Sequence, residues 1–283
     1  MRLDDFDPNA VNVEDQRGGG FSVGGAGGKV GCGTVLIALI AYFVFGIDPT
    51  AMLGSVQAPQ EQGPVQTQGG TDATSSCTLD AISRETCSAL SSLNKTWAPV
   101  FAASNVPFKS PKLVFYSQMG QSGCGAAQSA MGPFYCPTDQ GIYIDTDFYK
   151  EMEQRMGAGG DFARAYVIAH EYGHHIQALT GVADQIRSLQ SQNPRQANPL
   201  QVWMELQADC YAGVWAAKNK DRIDPGDMEE GLNAAFQIGD DTLTGGRAPE
   251  SAFTHGSSEQ RVAALRRGLQ SGDDSVCDAF MQR

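Results

Sequence analysis

The segment DFARAYVIAHEYGHHIQALTG carries His170, Glu171 and His174 in the spacing H-E-x-x-H. Residues four apart on a helix share a face, so the two imidazoles can bind one divalent ion from the same side. Glu171 is turned by about 100° from His170 and about 60° from His174, so it faces the same space without being a ligand. A metal-activated water with a carboxylate beside it as general base is the chemistry that follows. The bland alternative is a chance pattern on an amphipathic helix, and with 4 histidines in 283 residues it has little room. A catalytic zinc ion takes three protein ligands and keeps its fourth position open. Glu205, in VWMELQADCYAGVW, is the best third ligand, and Asp209 lies one turn further on the same face. A carboxylate at 209 can accept the N–H of a ligand histidine, fixing its tautomer and raising its basicity. An ordinary solvated face would also explain the pair. Trp203, Leu206, Tyr211, Val214 and Trp215 oppose that reading, because they mark a largely buried helix where idle carboxylates are costly. His175 is turned about 100° from His174 and has a structural or supporting role. His255, in the Gly/Ser-rich loop FTHGSSEQR, could reach over a cleft and stabilise an oxyanion, or could be a plain surface or capping histidine.

These residues need a framework. Phe162, Ala165, Ile168, Ala169, Tyr172, Ile176 and Leu179 fall on the arc opposite His170, so one face of that helix packs and the other presents His-Glu-His. Asp161, after two glycines, stands where an N-cap would. Apolar spacing predicts a helix from Leu79 to about Ala103 and further helices near 183–191, 200–219, 226–239 and 257–270, with Ser257 and Gln260 forming a capping box. Leu113–Tyr116 and Gly141–Asp145 read as strands, and the small-residue stretch between them as a loop. Helices outnumber strands and the strands come early. The fold class is therefore α+β, a mainly helical domain over 77–283 with a small sheet.

The chain carries a net charge of −12, and no Lys/Arg cluster offers the basic face a nucleic-acid partner needs. Its 33 glycines crowd towards the N-terminus. Residues 1–29 read as a flexible cytoplasmic tail, and 48–76 as a linker rich in Gly, Gln and Pro. Residues 30–47 contain no charge and reach roughly 27 Å as a helix, enough for one transmembrane span. A buried core helix is opposed by the polar flanks, and a cleaved signal peptide by an n-region of about thirty residues. Arg2, Arg17 and Lys29 precede the segment, and the next basic residue is Arg84. The positive-inside rule then predicts a single-pass protein of the bacterial cell membrane, with its N-terminus cytoplasmic and its domain extracytoplasmic. Cys77, Cys87, Cys124, Cys136, Cys210 and Cys277 would lie in an oxidising compartment, where a disulfide framework is expected. Fifteen pairings are possible. Cys124 with Cys136, and Cys210 with Cys277, are the pairs taken here. No C-x-x-C spacing supports a cysteine-ligated zinc.

Nearly the whole chain resembles a bacterial family described as "putative neutral zinc metallopeptidases", of the zincin type. The likeness is carried by NVEDQRGGG and FGIDP near the start, GPFYCPTDQGIYID, GDFARAYVIAHEYGHHIQ, ELQADCYAGVW and HGSSEQR. The resemblance implies a zinc peptidase acting on peptides or proteins. Two features depart from it. Tyr172 stands where a smaller aliphatic residue is expected. Cys77 and Cys87 match no family pattern, which argues against a bond between them. Together these readings predict hydrolysis of peptide bonds with His170, His174 and Glu205 on Zn²⁺, Glu171 as general base, His255 at the oxyanion and Asp209 orienting a ligand. The rival from another class is a catalytically idle domain that binds zinc or a partner at the outer face of the membrane. A non-peptidase hydrolase using the same site is a third reading.

Overall fold

The computed structural model describes residues 1–3, 6–17 and 73–281. It is mainly helical with a small sheet, as the apolar patterning predicts. In chain order the elements are β1 (Asn12–Asp15), α1 (Ala73–Cys77), α2 (Ala81–Ala103), β2 (Lys112–Tyr116), β3 (Met119–Ser122), β4 (Gly125–Gln128), β5 (Phe134–Cys136) and β6 (Gly141–Asp145). They are followed by α3 (Thr146–Met156), α4 (Asp161–Leu179), α5 (Val182–Gln192), α6 (Ala197–Lys218), α7 (Asp227–Gln237), α8 (Asp240–Leu243) and α9 (Ser258–Ser271).

The four-stranded sheet runs β1-β2-β6-β5, with β1, β2 and β6 parallel and β5 antiparallel at the edge. β3 and β4 form a separate antiparallel ribbon. The residue pattern predicts a loop over β3, β4 and β5, and here the structure differs. Their Gly, Ala and Ser content conceals the alternation that marks a strand, and the Cys124–Cys136 bond ties the region down.

Two expectations about the N-terminus are corrected. Residues 1–17 are not a free tail. Asn12 to Asp15 pair in register with Lys112 to Phe115, and Met1, Phe6, Val11 and Val13 are buried in the main core. Arg17 binds Asp15 at 2.6 Å, donates to Ser83 Oγ at 2.6 Å and lies 4.4 Å over the Phe115 ring. A strand this short has too little apolar pattern of its own, and its hydrogen bonds depend on β2, far along the chain. The start of the chain and the domain thus pack together, through β1 and the buried residues before it. The end of the linker is likewise ordered, as α1. Among the described residues no helix is long and apolar enough to cross a membrane, and the segment 30–47 lies outside the described residues.

Among the described residues the six cysteines pair as Cys77–Cys87, Cys124–Cys136 and Cys210–Cys277. The first corrects the expectation drawn from the family pattern: α1 and the first turns of α2 bring the two buried cysteines to a Cα separation of 5.9 Å. α2 begins at the N-cap Asp80, whose side chain accepts from Ser83 N at 2.7 Å, so exposed Leu79 stands before the helix. Gly160, not Asp161, precedes α4. Its φ of 110° suits glycine, and a Cβ there would stand 2.0 Å from the Glu230 carboxylate. Asp161 instead takes the Met1 amino group at 2.6 Å. The Ser257–Gln260 capping box is present on α9.

The core lies where α4 packs against α2, α6 and α7, with α9 against the far side of α6. Trp97 of α2 meets Tyr211 of α6 edge-on at 5.5 Å. Tyr172 is fully buried and donates to Asn94 Oδ1 at 2.8 Å, so a larger residue is accommodated by a polar partner on α2.

Candidate metal centre

α4 and α6 cross at Gly173, where an added Cβ would lie 2.7 Å from Ala208 Cα. That near-backbone contact lets short side chains meet across the crossing. His170 Nε2 lies 3.1 Å from Glu205 Oε2, and His174 Nε2 lies 3.6 Å from Glu205 Oε1. The two imidazoles stand at 85° with centroids 4.9 Å apart. Donors held at about 2.0–2.2 Å by a tetrahedral zinc ion are roughly 3.3–3.5 Å from one another; the two separations, each to a different Glu205 oxygen, are close to that spacing, and one donor atom from each residue lies within 4.8 Å of the others. Two neutral nitrogens and one carboxylate oxygen are also a donor set that suits zinc. The three residues therefore fit the ion.

Each donor is held by a neighbour. Asp209 Oδ1 accepts from His170 Nδ1 at 2.8 Å, and Gln177 Oε1 accepts from His174 Nδ1 at 2.9 Å. With both Nδ1 atoms protonated, the Nε2 lone pairs are turned toward Glu205, and Arg261 Nη2 also stands 3.4 Å from His170 Nε2. The Gln177 amide is itself fixed, donating to Met204 O at 2.8 Å and Gln207 Oε1 at 3.0 Å. Gln201 donates to Glu205 Oε1 at 2.9 Å. Asp209 is fully buried, and three further donors meet it: Tyr166 Oη at 2.6 Å, Arg261 Nε at 2.9 Å and Arg261 Nη2 at 3.0 Å. Glu171 is buried, and no hydrogen bond or ion pair holds its carboxylate among the described residues.

The electrostatics favour positive charge between the imidazoles. Burial alone would lower His170, but Asp209 and Glu205 outweigh it and raise its pKa to about 10. His174 is raised in the same way, by Glu205. Burial pushes the Asp209 carboxyl up, yet Arg261 and His170 hold it down to about 2. The Glu205 carboxyl is also kept low against its burial, by the imidazoles. Glu171 moves the other way, because burial raises it more than the nearby histidines lower it. Such a pocket takes up protons or a divalent ion, and the ion must displace the protons.

His255 sits at the edge of this group, with its side chain 30% exposed and Nδ1 3.1 Å from Asp240 Oδ1. It is close enough for its charge to act on Glu205. His175 points away, as its angle predicts. Its Nε2 donates to Lys109 O at 2.6 Å, and Nδ1 accepts from Tyr135 Oη at 3.0 Å. A second acidic group, Asp161, Asp227 and Glu230, surrounds the Met1 amino group, which binds Asp161 at 2.6 Å and Asp227 at 2.8 Å.

Sequence reasoning missed Arg261, Tyr166, Gln177, Gln201 and Asp240. Gln177 and Gln201 left a signal in their helical spacing, three residues after His174 and four before Glu205, and Arg261 left one as the basic end of HGSSEQR at the start of a helix whose buried face it shares with Leu265. It reaches Asp209 because α9 and α6 touch through two glycines: a Cβ at Gly213 would be 2.1 Å from Leu265 O, and one at Gly268 1.9 Å from Cys210 O.

The model of the family described as "Putative neutral zinc metallopeptidase" matches residues 5–280. The chain belongs to this family. Among its relatives, the uncharacterized protein YpfJ of Escherichia coli (strain K12) is 43% identical over 283 residues, covering 95% of each chain. The uncharacterized protein Mb2605 of Mycobacterium bovis is 38% identical over 205 residues, covering 67% of each. No solved structure matches the chain. The family's match includes β1 and the Arg261 helix as well as α4 and α6, so every part of the site described above lies within it.

Proposed function

We propose that the protein hydrolyses peptide bonds, with His170, His174 and Glu205 holding Zn²⁺. One observation carries this reading: three metal-type donors converge at 3.1 and 3.6 Å beside a buried carboxylate, Glu171, that no other described residue engages. A domain that only binds zinc or a partner has no use for that carboxylate.

Bound zinc supplies Lewis acidity, lowering the pKa of a water toward neutrality and polarising a carbonyl. Glu171 takes the proton as the carbonyl carbon is attacked and passes it to the leaving amine. In the metal-free site burial raises its pKa against the pull of the nearby histidines. Asp209 and Gln177 hold the two imidazoles in one tautomer and one orientation. Arg261 keeps Asp209 ionised where burial alone would favour its proton. His255 at the rim, when its ring is doubly protonated, donates from Nε2 to the oxyanion.

The domain is proposed to work on the extracytoplasmic side of a bacterial membrane. Three disulfides, two of them tying loops or helices to the core, support an oxidising compartment.

Glu171→Gln tests the reading. The variant keeps zinc after dialysis but hydrolyses casein or a peptide library at least about 100-fold more slowly, and a chelator abolishes wild-type activity. Wild-type protein that binds one zinc yet cleaves nothing would support the idle-domain alternative. A Glu171→Gln variant as fast as wild type would remove the general base.

A further inference from the structure

Asp240 is the first residue of α8, a buried carboxylate outside the metal site, and four donors converge on it. Its Oδ2 accepts the backbone N–H groups of Thr254 at 2.7 Å, His255 at 2.7 Å and Gly256 at 3.1 Å. Its Oδ1 faces His255 Nδ1 at 3.1 Å. Its own N–H returns a bond to Gly256 O at 2.9 Å. The next residue, Asp241, accepts from both N and Oγ of Ser258 at 2.7 Å. Consecutive carboxylates on α8 therefore clamp the whole turn from Thr254 to Ser258.

The other side of that turn rests on the helix that carries Glu205. Gly256 has a φ of 88°, and a Cβ there would stand 3.2 Å from Val202 and 3.5 Å from Leu206. Val202 and Leu206 flank Glu205 on α6. The turn is thus fixed between α8 and α6, with His255 between its two anchors.

We infer that Asp240 is a positioning residue for His255: it keeps the proton on Nδ1 and thereby makes Nε2 the nitrogen that faces the site and exchanges its proton there. A carboxylate is acceptor-only, so a neutral His255 facing it carries its hydrogen on Nδ1. Thr254 Oγ1, 3.3 Å from Nδ1, does not compete, because it can rotate its own hydrogen away. Nε2 then accepts when the ring is neutral and donates when it is charged. A loop side chain would otherwise spend most of its time in other rotamers, and an oxyanion donor must be in place before charge develops. A clamp serving the backbone alone would need only the three N–H bonds to Oδ2. The alignment of Oδ1 with the ring nitrogen points to the imidazole as the second object held. The tautomer assignment stands without the peptidase reading, but its catalytic use rests on that reading.

The first test is independent of activity. Ring ¹⁵N–¹H correlation spectra of the zinc-loaded and zinc-free full chain should show neutral His255 protonated on Nδ1, and Asp240→Asn should shift the proton to Nε2, since its amide NH₂ can turn toward the ring. Wild-type His255 protonated on Nε2 would overturn the inference, whether or not the variant folds. The second test reads the coupling. Asp240→Asn should lower kcat by roughly 10–100-fold with KM and zinc content unchanged, as expected when the ring that donates from Nε2 in its charged form loses the carboxylate that orients and pairs with it. In a His255→Ala background the same substitution should cost nothing more. A full additional loss in that background would show that Asp240 acts through the fold and not through His255. If the wild-type protein cleaves no peptide, the proposed function fails, and the spectra still decide the tautomer.

Discussion

His174 and His175 are neighbours in the chain that meet opposite surroundings. Burial lowers both, but His174 faces carboxylates that raise it, whereas His175 is enclosed by Tyr135, Tyr172 and the Lys109 carbonyl. Burial drives His175 down from 6.5 to about 4. The unfolded chain therefore binds its proton near pH 6.5 and the folded chain only near 4, so the stabilisation is complete above pH 6.5 and is lost as pH falls through that window. The expected size is roughly 3 kcal/mol, since each tenfold change in proton affinity is worth about 1.4 kcal/mol. Thermal denaturation of wild type should steepen its decline between pH 6.5 and 4 relative to His175→Asn. The variant should also be about 1–3 kcal/mol less stable at pH 7, through the partners left unpaired. Parallel pH curves for the two proteins would refute the assignment. Glu171 and Gln177 complete this scale: among the described residues the first has no hydrogen-bond partner, and the second is held by two donated bonds and one accepted.

At the scale of elements, the site depends on how closely α4 approaches α6. Helix propensity alone favours Ala over Gly at position 173 by about 1 kcal/mol. A Cβ 2.7 Å from Ala208 Cα, however, meets backbone that cannot turn aside. Gly173→Ala should push the helices apart, destabilise the fold by about 1–3 kcal/mol and weaken zinc at least about tenfold. A competition titration with a chromophoric chelator, read beside the melting temperature, measures both. A variant as stable and as tight as wild type would mean that the close approach does not position the ligands. The same logic applies on the other side of α6, where the Gly213 and Gly268 contact brings Arg261 to Asp209.

At the scale of the whole molecule, the N-terminal strand sets the topology. β1 completes the edge of the sheet, and Arg17 also reaches the Ser76 carbonyl at 3.2 Å, so the described chain before residue 18 and that after residue 72 meet again at one place. This packing predicts that both stand on the same side of any membrane. Single cysteines introduced at the exposed positions Asn9 and Ser191 should react alike with a membrane-impermeant maleimide in spheroplasts. Labelling at one position and protection at the other would mean that β1 leaves the sheet in the cell.

The local chemistry was legible from residue order. Helical geometry places His170, Glu171 and His174 on one face whatever surrounds them, and the apolar arc from Phe162 to Ile176 said which face would be buried. Glu205 and Asp209 could be singled out because carboxylates on a buried helix need a partner. The short strands β1, β3, β4 and β5 were not legible, since three- or four-residue runs of mixed or small side chains carry no readable period and acquire strand geometry only from a neighbour. Nor could the partners of Asp209 and His255 be read. Arg261 and Asp240 are ordinary polar residues until the tertiary fold brings them within 3.1 Å of the groups they hold, whereas Gln177 stands one turn from His174 on α4 itself. Spacing along one helix is decided by covalent geometry, whereas contacts between helices depend on where close-packed backbones, here at Gly173, Gly213 and Gly268, allow two segments to meet.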